Sequence, residues 1–267
     1  MATTGADTPD GAALFARFAY PPNALGYCGP ADPHALLVSA AEGGEGGGPD
    51  LRQLARRFEG AWPYLQLIAT ANGLSDPLDG SVVEAYWIGN RMLDNVSPAM
   101  LGDLLDERFR LQLDAGRRRR GEALDPRACP HHNFHVFSVY PWVGLLRAGR
   151  SPEPLRILEK CRIRWGQVQD VAAETLTVRS EGLAWKGEVL QLGAVRDETV
   201  AWRHEGRGFI ATARPGDWVA MHWDWACDVL TAAQRASLAE QTARQLAIVN
   251  GAVPPPGASD AGSRVSS

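Results

Sequence analysis

Short segments in which apolar residues recur at every second position run from Ile163 to Trp223, and they constrain the fold of this chain more than any other feature. This alternation is typical of strands with one buried face. Glycines separate the segments and favour turns between them. Because several short strands must lose their free edges to be stable, the pattern predicts a small closed barrel. The predicted strands are the segment that begins at Ile163 and the segments at 175–178, 183–192, 199–204 and 218–223.

A helix is predicted after the last of these strands. Thr231 and Gln234 have the spacing of a capping box, in which each of the two side chains satisfies a free backbone N–H group at the start of a helix. Leu238 and Leu246 mark the inner face of this helix, and Gly251 is suited to its end because glycine tolerates the backbone conformation found there.

Near the start of the chain, the sequence indicates one short helix followed by a turn. We predict a short helix over Gly11–Phe18. Proline inside a helix removes one hydrogen bond and clashes with the preceding turn. The pair Pro21 and Pro22 is therefore expected to end this helix in a turn.

Further helices are predicted up to about residue 110. Ser81 with Glu84 three positions later matches a capping box, and Ser97 before Pro98 is a typical helix start. The apolar segment 136–146 is expected to lie in the core, but its mixture of aromatic and β-branched residues leaves helix and strand equally open.

Together these patterns predict an α+β fold, in which an N-terminal α-helical domain is followed by a small β-barrel with a C-terminal helix. The two ends of the chain are small and polar, and they are expected to be disordered. The predicted division is disordered residues 1–10, an α-helical domain at 11–150, a barrel plus helix at 151–251 and a disordered tail at 252–267.

Composition excludes several classes of partner. The 267 residues carry a net charge of −4. Their one basic run, Arg117–Arg120, lies in a polar stretch that has the composition of an exposed loop, so we expect no nucleic-acid partner and no anionic membrane partner. The chain also lacks a glycine-rich phosphate loop and a G-x-S-x-G elbow, so nucleotide binding and serine hydrolysis have no support.

The sequence favours a cytoplasmic location. It contains no apolar stretch of the roughly 20 residues needed to span a bilayer, and residues 1–11 have neither the basic start nor the apolar centre of a signal peptide. The four cysteines show no paired spacing, so we expect free thiols in a reducing compartment.

Cys161 and His222 are the first candidate metal ligands. A thiolate and a neutral imidazole suit a soft or borderline metal. The two residues lie far apart in sequence, and a barrel that returns its later strands beside its first is needed to bring them together. In the predicted strand Asp224 shares a face with His222, and we expect its carboxylate to orient the imidazole. The alternative is a small core cysteine and a histidine with ordinary hydrogen bonds.

A histidine cluster supplies second candidates. His131, His132 and His135 follow Cys129, and on a helix His135 would share a face with either of the other two. Such tracts can bind zinc, nickel or iron. The HExxH pattern of zinc proteases is absent, so this type of hydrolase is not indicated. The alternative is a hydrogen-bonded structural cluster.

Cys28 and His34 form the third candidate set. Glycine and proline on both sides of Cys28 indicate an irregular loop. Such a loop can present a reactive thiol or metal ligand, or it can simply turn the chain.

Two groups of residues form a pair of motifs in the later part of the chain. They are Cys161, Gly166, Gln167 and Val168, then Gly216, Asp217, Trp218, Val219, His222 and Ala226. Through them, roughly residues 155–250 resemble the hydrogenase-maturation chaperone family of the HypC/HupF type, whose members combine an opening cysteine motif with a later Gly-Asp-aromatic-Val-x-x-His-x-x-x-Ala motif. Trp165 occupies the position of the family's proline, and Cys161 is internal rather than N-terminal.

The resemblance implies an OB-like barrel with a C-terminal helix and an assembly chaperone rather than an enzyme. Members of the family carry the Fe(CN)2CO group of [NiFe]-hydrogenases from a maturation scaffold protein to the hydrogenase large subunit. By resemblance, Cys161 and His222 would hold the iron, and those two proteins would be the partners. The chain as a whole resembles an uncharacterised bacterial family.

A hypothesis from another class is a metal-dependent or thiol-dependent enzyme. Its site would lie in the N-terminal domain and would use Cys28, His34 and the histidine cluster, with the barrel as a platform. This hypothesis predicts that Cys161 is dispensable.

Overall fold

The structure is a computed structural model that describes residues 10–41, 50–109, 123–150 and 152–251. It confirms the predicted α+β class, with helices first, then a closed five-stranded barrel, then a helix. The helices are α1 (Gly11–Ala24), α2 (Pro33–Ala41), α3 (Leu51–Arg56), α4 (Trp62–Ala71), α5 (Gly80–Trp87), α6 (Pro98–Arg108), α7 (His132–Phe134), α8 (Trp142–Arg147), α9 (Glu153–Cys161) and α10 (Ala232–Val249), with a 3-10 turn at Arg91–Asn95 and a π-helical turn at His135–Val139.

The barrel consists of the strands β1 (Arg164–Val171), β2 (Thr175–Lys186), β3 (Val189–Ala201), β4 (Trp218–His222) and β5 (Trp225–Leu230). It closes in the strand order β1-β2-β3-β5-β4. The first strand pairs antiparallel with both β2 and β4, and a single parallel pair, Ala201 with Trp225, joins β3 to β5. The pairing of β1 with β4 sets Arg164 opposite Met221, so the end of α9 lies beside the end of β4.

The first helix does not stop where the sequence predicted. It continues through Pro21 and Pro22 to Ala24 instead of ending at Phe18. Each proline lacks the N–H group that would bond the carbonyl four residues earlier. For Pro22 that carbonyl belongs to Phe18, and it accepts a hydrogen bond from His222 of the barrel instead. The barrel therefore compensates for a bond that the proline removes, and the helix persists.

Helix caps follow the predictions except at one helix. Asp79, and not Ser81, caps α5, because its carboxylate accepts a bond of 2.9 Å from the Ser81 backbone N–H. The predicted capping box of Ser81 and Glu84 is therefore wrong, and Glu84 instead accepts a bond of 3.3 Å from Gln234. Ser97 caps α6, and α10 begins with the predicted capping box.

The undecided segment 136–146 forms the π-helical turn and most of α8, so it is helical. It is largely buried, as predicted. π-helical turns often occur at functional sites. This one follows α7 directly and completes the element that carries the histidine cluster.

The largest hydrophobic core runs across the predicted boundary between the helical part and the barrel. It combines Phe15 and Tyr64 of the helices with Ile163, Ala220 and Trp225 of the barrel region. A buried amide strengthens this junction, since the Asn133 side chain accepts a 2.7 Å bond from the Ile163 backbone N–H and donates a 3.0 Å bond to its carbonyl. The two parts therefore share one core.

Some predictions lie outside the described residues. These are the disordered start up to residue 9, the tail from 252 and the basic run Arg117–Arg120. Asp10 is described, and it caps α1 with a 3.2 Å bond from the Ala12 backbone N–H. Within the described ranges, no helix has both the length and the apolar composition needed to cross a bilayer.

Candidate metal centre

A cavity of about 250 Å³ lies where the helical part meets the barrel, and we call it the inner cavity. Its wall is mainly apolar, because α1, α5 and α9 turn small and aromatic side chains toward it. The apolar and aromatic lining includes Ala19, Pro22, Phe58, Tyr86, Trp87, Tyr140, Trp142, Ile157 and Trp223. Groups that could bind a metal interrupt this lining at five positions, which are Cys28, His132, His135, Cys161 and His222.

Three of these groups converge. The ligand atoms of His132, Cys161 and His222 all lie within 4.8 Å of one another. Cys161 ends α9, His222 ends β4 and His132 begins α7. The predicted pair therefore comes together through barrel closure, and one of the second candidates joins it from the helical part.

His222 is held with one nitrogen directed toward its neighbours in the site. Its Nδ1 lies 2.7 Å from the Phe18 carbonyl oxygen, which can only accept, so Nδ1 carries the proton. Its Nε2 is buried and has no hydrogen-bond partner. Burial lowers the pKa of His222 well below its ordinary value, because the charged imidazolium would lose its hydration. The imidazole is therefore neutral, with a free lone pair on Nε2.

The predicted orienting residue of His222 is wrong. Asp224 lies in the turn after β4, where its side chain is 61% exposed and pairs with Lys160. The acceptor that fixes the imidazole is instead the Phe18 carbonyl. Trp223 has a positive φ of 54°, which breaks the strand alternation, so Asp224 no longer shares the face of His222.

His132 uses both ring nitrogens. Its Nε2 lies 2.9 Å from the Cys161 carbonyl oxygen and must donate, so Nδ1 accepts from the Tyr86 hydroxyl at 3.2 Å. Burial lowers the pKa of His132 to about 4. Because Nδ1 already holds a lone pair, ligation through Nδ1 would require only the loss of the longer bond, the one to Tyr86.

Cys161 is partly accessible, but the surrounding protein desolvates its thiol. This burial, with a smaller contribution from Cys28, raises the pKa of Cys161 to about 12. The thiol therefore keeps its proton near neutral pH unless a cation compensates the thiolate charge. A bound metal ion would supply that compensation, and its binding would release the proton.

The other predicted site residues separate into two groups. His135 lines the cavity, and its Nδ1 shares a 2.8 Å hydrogen bond with the Tyr64 hydroxyl. His131 instead caps α7, where its Nδ1 accepts a 3.0 Å bond from the Asn133 backbone N–H. His34 is exposed on α2 and is not among the residues of the cavity wall that the structure describes. The predicted pairing of Cys28 with His34 is therefore not formed at this site.

Cys28 is fixed at the outer wall of the cavity. The Asn23 amide donates to the carbonyls of Cys28 and Pro30 at 2.6 and 2.7 Å, which anchors the loop between α1 and α2. Gly29 has a φ of +87°, and a Cβ there would lie 2.4 Å from the Phe58 ring, so this position requires glycine. Cys28 is exposed, but the surrounding protein desolvates its thiol and raises the pKa of Cys28 to about 12.

Buried charges hold the turn between β4 and β5 against α9. Arg164 donates to the Trp223 carbonyl and to the Glu198 carboxylate, each at 2.7 Å. The Trp223 backbone N–H donates to the Lys160 carbonyl at 2.6 Å. The Trp223 ring stacks on Tyr27 with centroids 4.4 Å apart, so this turn also supports the loop that carries Cys28.

Sequence analysis missed Phe18 and Tyr86, which set the protonation of the two histidines. Tyr86 gave no signal beyond its helical periodicity. Phe18 did give one, because Pro22 stands four residues after it and leaves its carbonyl without a helical partner. A proline inside a helix can thus mark a carbonyl that is available to a distant side chain.

The fold and the site together define an α+β protein with a buried histidine and cysteine cluster between a helical part and a closed barrel. The chain belongs to the family of unknown function DUF6390, which it matches over residues 7–254. No curated protein and no solved structure matches it. These comparisons are consistent with the resemblance to an uncharacterised family and give no support to the resemblance to the hydrogenase-maturation chaperones.

Proposed function

We propose that this protein binds a soft or borderline transition metal through Cys161, His222 and His132, and that it serves as an accessory protein in the assembly of a metalloenzyme. The observation that carries the proposal is the convergence of these ligand atoms to within 4.8 Å of one another. The unpartnered Nε2 of His222 supports it, because a buried polar atom without a partner is costly unless something binds there.

The donor set favours particular metals. One thiolate and two imidazoles suit iron, zinc, copper or nickel better than the hard ions magnesium and calcium. Structural zinc sites are usually closed by four protein ligands, whereas three ligands leave a position open. Here the three ligands line a cavity of about 250 Å³, which leaves room for a further group on the metal. That arrangement fits a carrier or a reaction centre better than a structural site.

The resemblance of residues 155–250 to the hydrogenase-maturation chaperones leads us to a more specific form of the proposal. In this form the cargo is iron as Fe(CN)2CO, and the partners are the maturation scaffold protein and the hydrogenase large subunit. Cys161 and His222 would hold the iron, with His132 as a third ligand from the helical part. The location would be cytoplasmic, where free cysteines such as the four in this chain persist.

A metal-dependent or thiol-dependent enzyme is the second candidate, and one observation favours it. Cys28 and His135 line the same cavity as the three converging groups. A reaction centre would therefore combine residues of the helical part with Cys161 and His222 instead of using the helical part alone. An enzyme keeps its metal through many turnovers, whereas a carrier releases it to a partner.

The test is infrared spectroscopy with metal analysis on protein purified without air from a host that expresses hydrogenase-maturation genes. We expect stoichiometric iron with bands of bound cyanide and carbon monoxide, and we expect Cys161→Ser and His222→Ala to lose both. Cys129→Ser is the matched control, because Cys129 is buried and bonds Gln241 away from the cavity. Bands that persist in Cys161→Ser would contradict the carrier hypothesis, and a tightly held metal without such bands would favour the enzyme.

A further inference from the structure

A second, larger cavity adjoins the inner cavity and, over the residues that the structure describes, opens to solvent. It has a volume of about 890 Å³ and lies between the loop after α1, the end of α3 and the end of α6. We call it the vestibule. The two cavities share one wall, which consists of Tyr27, Cys28, Gly60, His135 and Tyr140. A ligand in the vestibule is therefore separated from the inner cavity by this one wall.

The rim of the vestibule is basic. Among the described residues that line it are Arg56, Arg57 and Arg108, with Glu59 as their one acidic neighbour in that lining. Over the ranges that the structure describes, neither Arg56 nor Arg57 has a carboxylate within ion-pair distance, and Arg108 pairs only with its exposed neighbour Glu107. The chain as a whole has a net charge of −4, so this rim opposes the overall charge. A cleft lined by one sign of charge raises the local concentration of ions of the opposite sign.

The wall that the two cavities share is uncharged. Burial raises the pKa of Tyr140 above its ordinary value and lowers the pKa of His135 to about 3, so neither group carries a charge near neutral pH. A small anion that passes this wall loses its hydration and enters a cavity whose lining is mainly apolar. Such a transfer is costly unless a cation receives the anion. The cation that the proposed function places there is a metal at His132, Cys161 and His222.

We propose that the vestibule admits a small, singly charged anion that takes the open position on this metal. The inference rests on the proposed metal site, and it adds the class of exogenous ligand and the route by which that ligand arrives. The volume of about 250 Å³ limits the anion to a few heavy atoms, because one water in the liquid occupies about 30 Å³. Arg56 and Arg57 attract the anion from solvent, and the metal retains it.

Cobalt(II) is a suitable probe, because its visible bands change with its ligands. The cobalt-loaded protein is titrated at about pH 8 with thiocyanate as the anion and with imidazole as a ligand that is mainly neutral at this pH. We expect saturable spectral changes with both. In Arg56→Glu/Arg57→Glu the dissociation constant for thiocyanate should rise about tenfold and depend less on salt. The constant for imidazole should not change, which also shows that the variant is folded.

The matched control is Arg150→Glu/Arg207→Glu. Both arginines are exposed, both lie outside the two cavities, and the change in net charge is the same. We expect this variant to bind thiocyanate like the unaltered protein. The milder Arg56→Gln/Arg57→Gln should give a smaller effect in the same direction.

The outcomes separate the two proposals. If the unaltered protein binds no cobalt, both the metal site and the anion route are overturned. If cobalt binds but thiocyanate leaves its bands unchanged, or if both double variants bind thiocyanate equally, the anion route is overturned and the metal site stands.

Discussion

The carbonyl oxygen of Phe18 accepts a 2.7 Å hydrogen bond from Nδ1 of His222, across 204 positions of sequence. This carbonyl is available because Pro22, four residues later in α1, has no N–H group to donate to it. The bond fixes the tautomer of His222 and leaves Nε2 free for a metal. The missing N–H group of Pro22 in α1 thus allows the Phe18 carbonyl to orient the His222 imidazole in β4.

Pro22→Ala tests this relationship. Alanine would restore an N–H group that competes with His222 for the Phe18 carbonyl, so the imidazole would lose part of its orientation. Groups that orient a metal-bound histidine typically change metal affinity by 10-fold to 100-fold, and we expect about a tenfold loss measured by competition with a chelator. Pro21→Ala is the control, because its N–H group would face the Arg17 carbonyl instead. Equal affinities in the two variants would contradict the orienting role.

Tyr86→Phe tests which nitrogen of His132 binds the metal. The hydroxyl of Tyr86 occupies Nδ1 of His132, so its removal should lower the free energy of unfolding of the metal-free protein by about 1 kcal/mol. Metal affinity should rise up to about fivefold, because that bond no longer has to be broken. Tyr64→Phe removes the hydroxyl bonded to His135 and should lower stability without changing affinity. Weaker metal binding by Tyr86→Phe would instead indicate ligation through Nε2.

Buried histidines predict how the stability of the metal-free protein depends on pH. Burial lowers the pKa values of His131 and His135 to about 3 and that of His132 to about 4. In the unfolded chain these groups bind protons near pH 6.5, so the unfolded state takes up more protons than the folded state below that pH. The free energy of unfolding is therefore highest above about pH 6.5. Below that pH it falls by up to about 1.4 kcal/mol per pH unit for each histidine.

Urea unfolding between pH 5 and pH 7.5 measures this loss. The window avoids the paired carboxylates such as Asp76, whose lowered pKa acts at more acidic pH. A His135→Gln variant should show a shallower pH dependence than the unaltered protein. An unfolding free energy that stays constant from pH 7.5 to pH 5 would be inconsistent with neutral buried histidines.

Arg164 should contribute more to stability than its charge pairs alone indicate. It is fully buried, and it bonds Glu198 and the Trp223 carbonyl. Replacement by methionine removes this donor from the largely buried Glu198 carboxylate and from the buried Trp223 carbonyl. Breaking such a buried pair lowers the free energy of unfolding by about 3–5 kcal/mol. Arg179→Met, which removes an exposed pair with Asp197, should change stability far less, because solvent screens an exposed ion pair. Similar midpoints of chemical unfolding for the two variants would contradict this prediction.

The barrel and two of the three site residues could be predicted because they depend on repetitive patterns. Period-two alternation indicated the strands, and closure of any small barrel sets a late strand beside the first. Cys161 and His222 lie at the ends of the two elements that this closure joins. Their approach therefore followed from the fold class together with the resemblance of the surrounding motif.

The remaining features depend on contacts that leave little periodic signal. His132 stands in a three-residue helix followed by a π-helical turn, which is too short for a hydrophobic period to show its direction. Asp224 was misplaced because the positive φ of Trp223 interrupts the alternation that linked it to His222. The helix stop at Pro21 and Pro22 was wrong because a residue of the barrel satisfies the carbonyl that the second proline leaves free.

The junction of the helical part with the barrel also determines when, during synthesis of the chain, the candidate site can form. The candidate site combines the Phe18 carbonyl of α1, His132 of α7 and His222 of β4. A ribosome that has not yet synthesised β4 therefore holds a chain with an incomplete set of ligands. If the site binds a metal as proposed, loading has to wait until β4 has been translated and the two parts have met.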